Sequence, residues 1–327
     1  MHQNNKHIPV LLSEVLLYLK PLPGNKYLDL TAGYGGHAKQ VMEIIGKDSK
    51  VCLVDRDPLA AEFLNENFKN KNVDIMNQDF YSAAKKLSDS GQKFDLILAD
   101  LGVSSPHLNE QQRGFSIDKE GPLDMRMDQN QTLDAKKIVN SYSEKQLVQI
   151  LRDYGEEPKY LRIARLIISN RPINTTTELA KIVSKAWPGH SRTHPATRTF
   201  QAIRIAVNDE LELIKKAFPI WLDLLNPDGR IVIISFHSLE DRIIKEALSE
   251  RSGNRLDSSL TLLTRKPVTS TKDELVFNPR ARSAKLRAAV KINKQKKGEY
   301  NANTGKKSLP HLQSNSKSYL TFTKNAL

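Results

Sequence analysis

Cysteine occurs once in the 327 residues, at Cys52, which leaves no partner for an intramolecular disulfide and no set of thiolates for a zinc cage. Long apolar runs are missing too, since none approaches the ~18 residues of a membrane span. The nearest approach to a secretory leader, Ile8 to Leu19, is interrupted by Glu14, has only Lys6 as a nearby basic residue and lacks a small-residue cleavage site. A cytoplasmic protein is therefore expected. Acidic residues are in deficit, 37 against 50 Lys+Arg for a net +13, and the deficit is concentrated at one end. From Arg280 to Leu327 there are 12 Lys+Arg and a single acid, Glu299, so this end carries +11 and the remaining 279 residues only +2. A near-neutral body with a basic end implies a polyanionic partner, nucleic acid in preference to a membrane surface, because no amphipathic stripe accompanies the charge. The bland alternative is a solvated tail without a partner.

What remains is ordinary globular composition, 39% hydrophobic and 27% charged. The length is about twice the ~150 residues of a typical domain, so one large α/β domain with an insertion, or two domains, is expected. Between residues 26 and 100, four short runs read as strands apolar in their middles: Lys26 to Thr31, Lys50 to Asp55, Asn72 to Asn77 and Lys93 to Asp100. Helix-length stretches separate them, Gly36 to Gly46, Asp57 to Lys69 and Tyr81 to Ser90. That alternation predicts a doubly wound parallel sheet covered on both faces. It resumes late, with an amphipathic helix over Val207 to Leu225, a turn at Asn226-Pro-Asp-Gly229 and a buried strand from Gly229 to Phe236. Leu260 to Lys266 and Ser283 to Lys291 have strand length and are expected to close the sheet as an antiparallel pair. Between the fourth and fifth strands, Ser143 to Tyr154, Pro158 to Asn170 and Thr176 to Trp187 show helical spacing, with Pro158 suited to a helix start. The expected organisation is a discontinuous domain of residues 1–107 and 200–290, an inserted helical subdomain over 108–199, and a basic, disordered tail over 291–327.

The first strand runs into Asp29-Leu-Thr-Ala-Gly33-Tyr-Gly35-Gly36-His37, where glycines let the backbone approach a ligand and the following helix offers free amides. Asp55, ending the second strand, is placed to accept both ribose hydroxyls of a nucleoside. Gly33-x-Gly35-x-x-Ala38 also satisfies the relaxed dinucleotide fingerprint. Asp29, however, suits the ammonium of a methionine moiety better than a pyrophosphate, which points to S-adenosylmethionine. The fourth strand ends in Asp100-Leu-Gly-Val-Ser-Ser-Pro106, at the carboxyl edge where open sheets place their chemistry. The lone pair of an exocyclic amine is conjugated into its ring, so methylating it calls for acceptors of the amine hydrogens, and this segment can supply them. An ordinary strand-to-loop turn is the plain alternative. Cys52, inside Val51-Cys-Leu-Val54, reads as a packed thiol, against methylation at a pyrimidine carbon 5.

Nine motifs occur in order. They are His7-Ile-Pro-Val-Leu11, Thr31-Ala-Gly-Tyr-Gly-Gly-His37, Asp55-Arg-Asp-Pro58, Asp100-Leu-Gly-Val-Ser-Ser-Pro106, Arg113-Gly-Phe-Ser116, Gly121-Pro-Leu-Asp-Met-Arg-Met-Asp128, His194-Pro-Ala-Thr-Arg-Thr-Phe-Gln201, Ser235-Phe-His-Ser-Leu-Glu-Asp-Arg242 and Asn278-Pro-Arg-Ala-Arg-Ser283. Over about residues 6 to 290 the chain closely resembles the bacterial small-subunit ribosomal RNA cytosine-N4 methyltransferase family, the MraW family. The resemblance implies a class I S-adenosylmethionine-dependent methyltransferase, Rossmann-like, with an inserted helical subdomain, acting on the exocyclic N4 of cytosine 1402 in 16S ribosomal RNA. It implies cofactor contacts from Gly35, Gly36, His37, Asp55, Phe80, Asp100 and His107, the last standing where the family often has Gln. Phe80 could also cover a purine face on physical grounds.

For the chemistry, Asp100, Ser104, Ser105, Pro106 and His237 are the candidates. His237, with Ser235, Ser238, Glu240, Asp241 and Arg242 around it, either holds a flipped base or caps the next helix. Asp124, Arg126 and Asp128 read as a salt-bridge cluster or an RNA contact, and Arg198 and Arg204 as phosphate contacts or a solvated helix face. The eight histidines are not clustered with carboxylates, so no metal is expected, and no obligate protein partner is evident. The partner expected is 16S ribosomal RNA in the small subunit. A DNA amino-methyltransferase is the rival enzyme, although such enzymes usually carry Pro-Pro and an aromatic where this chain has Ser104-Ser-Pro106 and His107. A non-catalytic RNA-binding or assembly protein is the rival outside catalysis.

Overall fold

In the protein's computed structural model, which describes residues 9–70, 72–102, 110–189, 193–253 and 258–293, the four apolar runs are parallel strands. They are β1 (Tyr27–Asp29), β2 (Val51–Asp55), β3 (Val73–Asn77) and β4 (Phe94–Asp100). Helix α1 (Leu12–Leu19) precedes them, and α2 (Gly36–Ile45), α3 (Pro58–Asn67) and α4 (Phe80–Asp89) are the crossovers. Asp57 and Asp79 explain two of these helix starts, since their carboxylates accept the first backbone amides of α3 and α4.

β5 (Leu225–Ser235) adds to β4 in parallel, β7 (Lys285–Lys291) adds to β5 antiparallel, and β6 (Leu260–Leu262) forms the edge, for the order β3-β2-β1-β4-β5-β7-β6. This is the sheet of a class I, Rossmann-like methyltransferase. The turn expected at 226–229 is a bulge inside β5: Phe94 pairs with Leu225 but Leu96 with Arg230, and Asp228 takes φ 65° to loop the extra residues out. Two apolar layers cover the sheet. One gathers Val15, Val41, Leu53, Leu64, Leu98 and Ile234, the other Leu28, Ala84, Ile97, Trp221, Ile233 and Ile244.

Between β4 and β5 lie α5 (Ala135–Ser141), α6 (Glu144–Asp153), α7 (Tyr160–Ser169), α8 (Thr176–Ser184), α9 (Thr197–Asn208) and α10 (Glu210–Leu224). Capping boxes at Ser143 and Thr175 set the starts of α6 and α8. Pro158 precedes α7 by two residues instead of opening it. The single helix expected from Val207 is two helices, because Asp209 adopts φ 50° and divides α9 from α10. A core from Phe115 to Val207, including Leu147, Ile163, Leu179 and Phe200, belongs to this insertion, which is compact with the sheet. Helix α11 (Ser238–Glu250) follows β5, and α12 (Lys272–Phe277) precedes β7. No helix among the described residues is long and apolar enough to cross a membrane. The expected disordered tail lies, from residue 294 on, outside the described residues.

Candidate active site

β1 leads on to β2 on one side while its neighbour β4 leads on to β5 on the other, so the chain leaves their carboxyl ends in opposite directions and opens a crevice there. Asp29 ends β1 and is buried; its Oδ2 accepts from the Tyr27 hydroxyl at 2.8 Å and its Oδ1 from the Thr31 amide at 3.2 Å. Burial pushes its carboxyl up to about 6; His37, the Tyr27 hydroxyl and the Thr31 amide pull it down, and nearby Asp100 pushes it up. The chain then turns through Gly33 (φ 52°) and Gly35 (φ 75°). A Cβ at Gly33 would meet nothing within 4 Å, leaving the turn open, whereas one at Gly35 would lie 2.3 Å from the Phe68 ring. α2 begins at Gly36 without a side-chain cap, so its first amides face the crevice mouth uncapped.

Asp100 closes the other wall. Its backbone amide donates to Thr31 Oγ1 at 2.6 Å, stitching the end of β4 to the turn after β1. His37 Nε2 lies 3.5 Å from Asp100 Oδ2, too poorly placed for a hydrogen bond. Both ring nitrogens of His37, and Asp100 Oδ1, are buried without a hydrogen-bond partner. Three such atoms in one crevice mark a polar site that a ligand completes.

Asp55, one strand over, is oriented by the Gly33 amide (2.7 Å to Oδ2) and the Asp57 amide (2.9 Å to Oδ1). Carboxylate oxygens accept more than one hydrogen bond, so this grip aims the group without exhausting it. Phe80 opens α4, half-buried edge-on against Trp221 with ring centroids 5.4 Å apart. Ser104, Ser105, Pro106 and His107 lie outside the described residues.

Over residues 4–292 the sequence matches the profile of the MraW methylase family. The chain belongs to that family. Similar along its length are ribosomal RNA small subunit methyltransferase H of Heliobacterium mobile, 43% identical over 309 residues (88% of this chain, 99% of that protein), and its namesake in Gloeothece citriformis, 46% identical over 290 residues (86% and 93%). Among solved structures, an rRNA methylase from Streptococcus thermophilus is 10% identical with a TM-score of 0.39, covering 86% of this chain and 95% of that one. The strand order, not that overlap, carries the fold. As an MraW methylase the chain uses S-adenosylmethionine, and the unpartnered atoms of His37 and Asp100, the open turn at Gly33 and the aimed carboxylate of Asp55 fit such a polar cofactor.

Other expectations fare differently. His237 of this MraW methylase is the N-cap of α11: its Nδ1 accepts from the Glu240 amide at 3.3 Å, and the Glu240 carboxylate accepts from the backbone of Phe236 and His237. The capping half of its double reading is therefore what the structure displays. Arg204 is not a phosphate contact, because it is locked in a two-pronged pair with Glu210 at 2.9 and 2.8 Å. Arg198 donates to the Glu156 carbonyl, and Arg126 pairs with Asp124. Glu210, His237 and Glu240 bring ligand-type atoms within 4.8 Å of one another. Metal binding does not suit them: the positive Arg204 guanidinium lies against both oxygens of Glu210 and opposes a cation there, and with Nδ1 accepting a hydrogen bond the neutral imidazole carries its proton on Nε2, the atom a metal would need. Cys52 is buried, and its thiol is pushed up to about 12 by that burial, with Asp74 adding to it.

Sequence reasoning missed Arg113 and Asp57, which form a buried ion pair, and Asn208, whose amide bridges the Met125 carbonyl and the Met127 amide. Arg113 and Asp57 lie in quoted motifs and Asn208 lies seven residues beyond one, but nothing local in the sequence reveals pairings across so many residues.

Proposed function

We propose that this methylase transfers the methyl group of S-adenosylmethionine to the exocyclic N4 of cytosine 1402 in 16S ribosomal RNA of the small subunit. The observation that carries the site assignment is the unpartnered, buried Asp100 Oδ1 at the carboxyl end of β4, beside the unpartnered His37 ring. Two relatives named as ribosomal RNA small subunit methyltransferase H, matched nearly end to end, support the substrate.

When bound, the cofactor supplies an electrophilic methyl on a sulfonium. Asp29 would receive the ammonium of its methionine moiety, the uncapped start of α2 its carboxylate, Asp55 its ribose hydroxyls, and Phe80 one face of its adenine. The target cytosine leaves its stack to reach the crevice. Asp100 Oδ1 accepts one N4 hydrogen, which draws the nitrogen lone pair out of conjugation and toward the methyl carbon. On accepting the methyl group, N4 would give up a proton to an acceptor at this edge, for which Asp100 is our first choice. Positioning and preorganised acceptors supply the acceleration. The buried, protonated thiol of Cys52 does not suit the thiolate route to carbon 5. We read residues 1–107 and 209–290 as the transfer domain and 108–208 as its inserted subdomain, with the boundary moved from 199 to the end of α9 because Phe200, Ile203 and Val207 pack in the insertion's core.

Incubating the protein with labelled S-adenosylmethionine and either naked 16S RNA, 30S subunits or DNA, then digesting to nucleosides, tests this. N4-methylcytidine from the ribosomal substrate alone is the expected product. Label in DNA, at carbon 5, or nowhere overturns the reading.

A further inference from the structure

The segment from α12 to the start of β7 is held rigidly from inside yet presents an apolar and basic outer face. Leu275, Ala281 and Ala284 pack into the apolar layer under the sheet. Ser270 Oγ donates to the Ala281 carbonyl, and the Leu11 amide donates to Glu274 Oε1 at 2.7 Å. Outward, Val276 and Phe277 are 74% and 75% exposed, the most exposed large apolar side chains among the described residues. Arg280 and Arg282 are exposed within five residues of Phe277, and Arg265, Lys266 and Lys272 are exposed on the same stretch of chain. Adjacent exposed apolar side chains on an anchored segment mark an interaction surface.

Its place in the sheet says what it faces. Asp100 pairs with Ile234, and Ile234 with Leu286, so the three lie in one row across β4, β5 and β7. Residues 277–284 immediately precede that row, at the edge where β4 and β5 end. The same segment is tied to the cofactor turn through the chain before α1: Leu11 bonds Glu274, and a Cβ on Gly36 would lie 2.9 Å from the Pro9 ring. Phe277 and the arginines therefore belong to a rim segment at the carboxyl edge of the sheet, the edge at which β4 ends in Asp100.

We propose that this rim is a stacking platform for an unpaired nucleotide flanking the target cytosine, with Phe277 under the base and Arg280 and Arg282 on neighbouring phosphates. An exposed aromatic face takes any base, and flanking guanidinium groups take the backbone, which is how single strands are held without reading sequence. Drawing the target base out of its stack takes away the stacking partner of the bases beside it, so a flanking base that is itself unpaired offers a bare face where the crevice needs it. The proposal rests on the RNA reading above and adds a second contact to it.

The test compares wild type with Phe277→Ser, Phe277→Trp and Arg282→Ala on 30S subunits assembled from unmodified 16S RNA. Direct binding to 30S, KM and kcat for methylation, S-adenosylmethionine affinity and sedimentation are measured. Phe277→Ser is expected to weaken 30S binding and raise KM about tenfold, with kcat, cofactor affinity and sedimentation unchanged, and Phe277→Trp to restore it. Arg282→Ala should make log affinity against log salt shallower by about 0.7 to 0.9. Unchanged 30S binding by Phe277→Ser overturns the proposal, as does a change in its sedimentation, which would assign the face to contact between copies of this chain. Because binding is read apart from turnover, a wild type that binds 30S but methylates nothing would sink the functional reading and leave the platform to be judged on affinity alone.

Discussion

Arg113 Nη1 donates to Asp57 Oδ2 at 3.1 Å, with both side chains almost closed to solvent. The pair joins the short helical turn Gln111–Arg113 to the segment that carries Asp55. Asp57 also caps α3 through Leu59, its amide holds Asp55, and Arg113 reaches on to the carbonyls of Arg126 and Met127. Arg56, between the two aspartates, donates to the carbonyl of Asn208 at the end of α9. Of Asp55-Arg56-Asp57, the first thus faces the crevice and the other two the insertion.

Arg113→Met should cost about 3 to 5 kcal/mol, the range for removing one partner of a buried ion pair, because Asp57 is left charged and enclosed. Urea unfolding measures it, and adding Asp57→Asn should recover part of the loss. A cost below about 1 kcal/mol would mean that water reaches Asp57 once the arginine is gone.

The sheet was readable because a strand covered on both faces must be apolar in its middle, which Val51 to Val54 and Leu96 to Ala99 are. The cofactor turn was readable because Gly33 and Gly35 take positive φ, where side chains are strained. The break at Asp209 was not, since a non-glycine residue in the left-handed region is set by what packs on either side, here Arg204 with Glu210 and Asn208 with the insertion. His237 also resisted a reading from sequence: a histidine before a helix with Glu three residues on fits both a cap and a site, and only the Glu240 amide pointing at Nδ1 separates them.

Asp29 predicts opposite pH effects on stability and on cofactor binding. Burial raises its carboxyl to about 6, so between about pH 4 and 6 the fold holds a proton that the unfolded chain releases. Stability of the cofactor-free protein should therefore fall as pH rises through that window and stay lower above it, by up to about 3 kcal/mol for this group. A methionine ammonium favours the ionised form, so cofactor affinity should weaken as pH drops below about 6. Calorimetric titrations at pH 5 and 7.5 check this, and Asp29→Asn should flatten the dependence. A pH profile unchanged by Asp29→Asn would remove Asp29 as the source of the dependence.

Asp100→Asn keeps the shape of the side chain but turns one acceptor oxygen into a donor. Single-turnover rates at saturating cofactor should fall more than the loss of cofactor affinity explains. A normal saturated rate with weakened affinity would make Asp100 a binding residue only. Cys52→Ala, by contrast, should retain the saturated rate at a stability cost of about 1 kcal/mol. A stable but inactive Cys52→Ala protein would reopen chemistry at carbon 5.

Gly35→Ala joins two costs at one position. The residue sits at φ 75°, and an added Cβ would lie 2.3 and 2.4 Å from Phe68 Cζ and Cε2 and 3.2 Å from Leu64 Cδ2. Phe68, at the C-terminal end of α3, is partly buried against the apolar layer that contains the fully buried Leu64, so turning its ring aside gives up packing there. Left-handed backbone costs an alanine roughly 1 to 2 kcal/mol before any clash, so a total loss of about 2 to 4 kcal/mol is expected in thermal or urea unfolding. Phe68→Ala alone should also destabilise, yet in the double variant Gly35→Ala should cost only the backbone share, because the ring it strikes is gone. Fully additive costs would show that the clash relaxes elsewhere, and that the turn, rather than its packing on α3, sets the shape of the cofactor cradle.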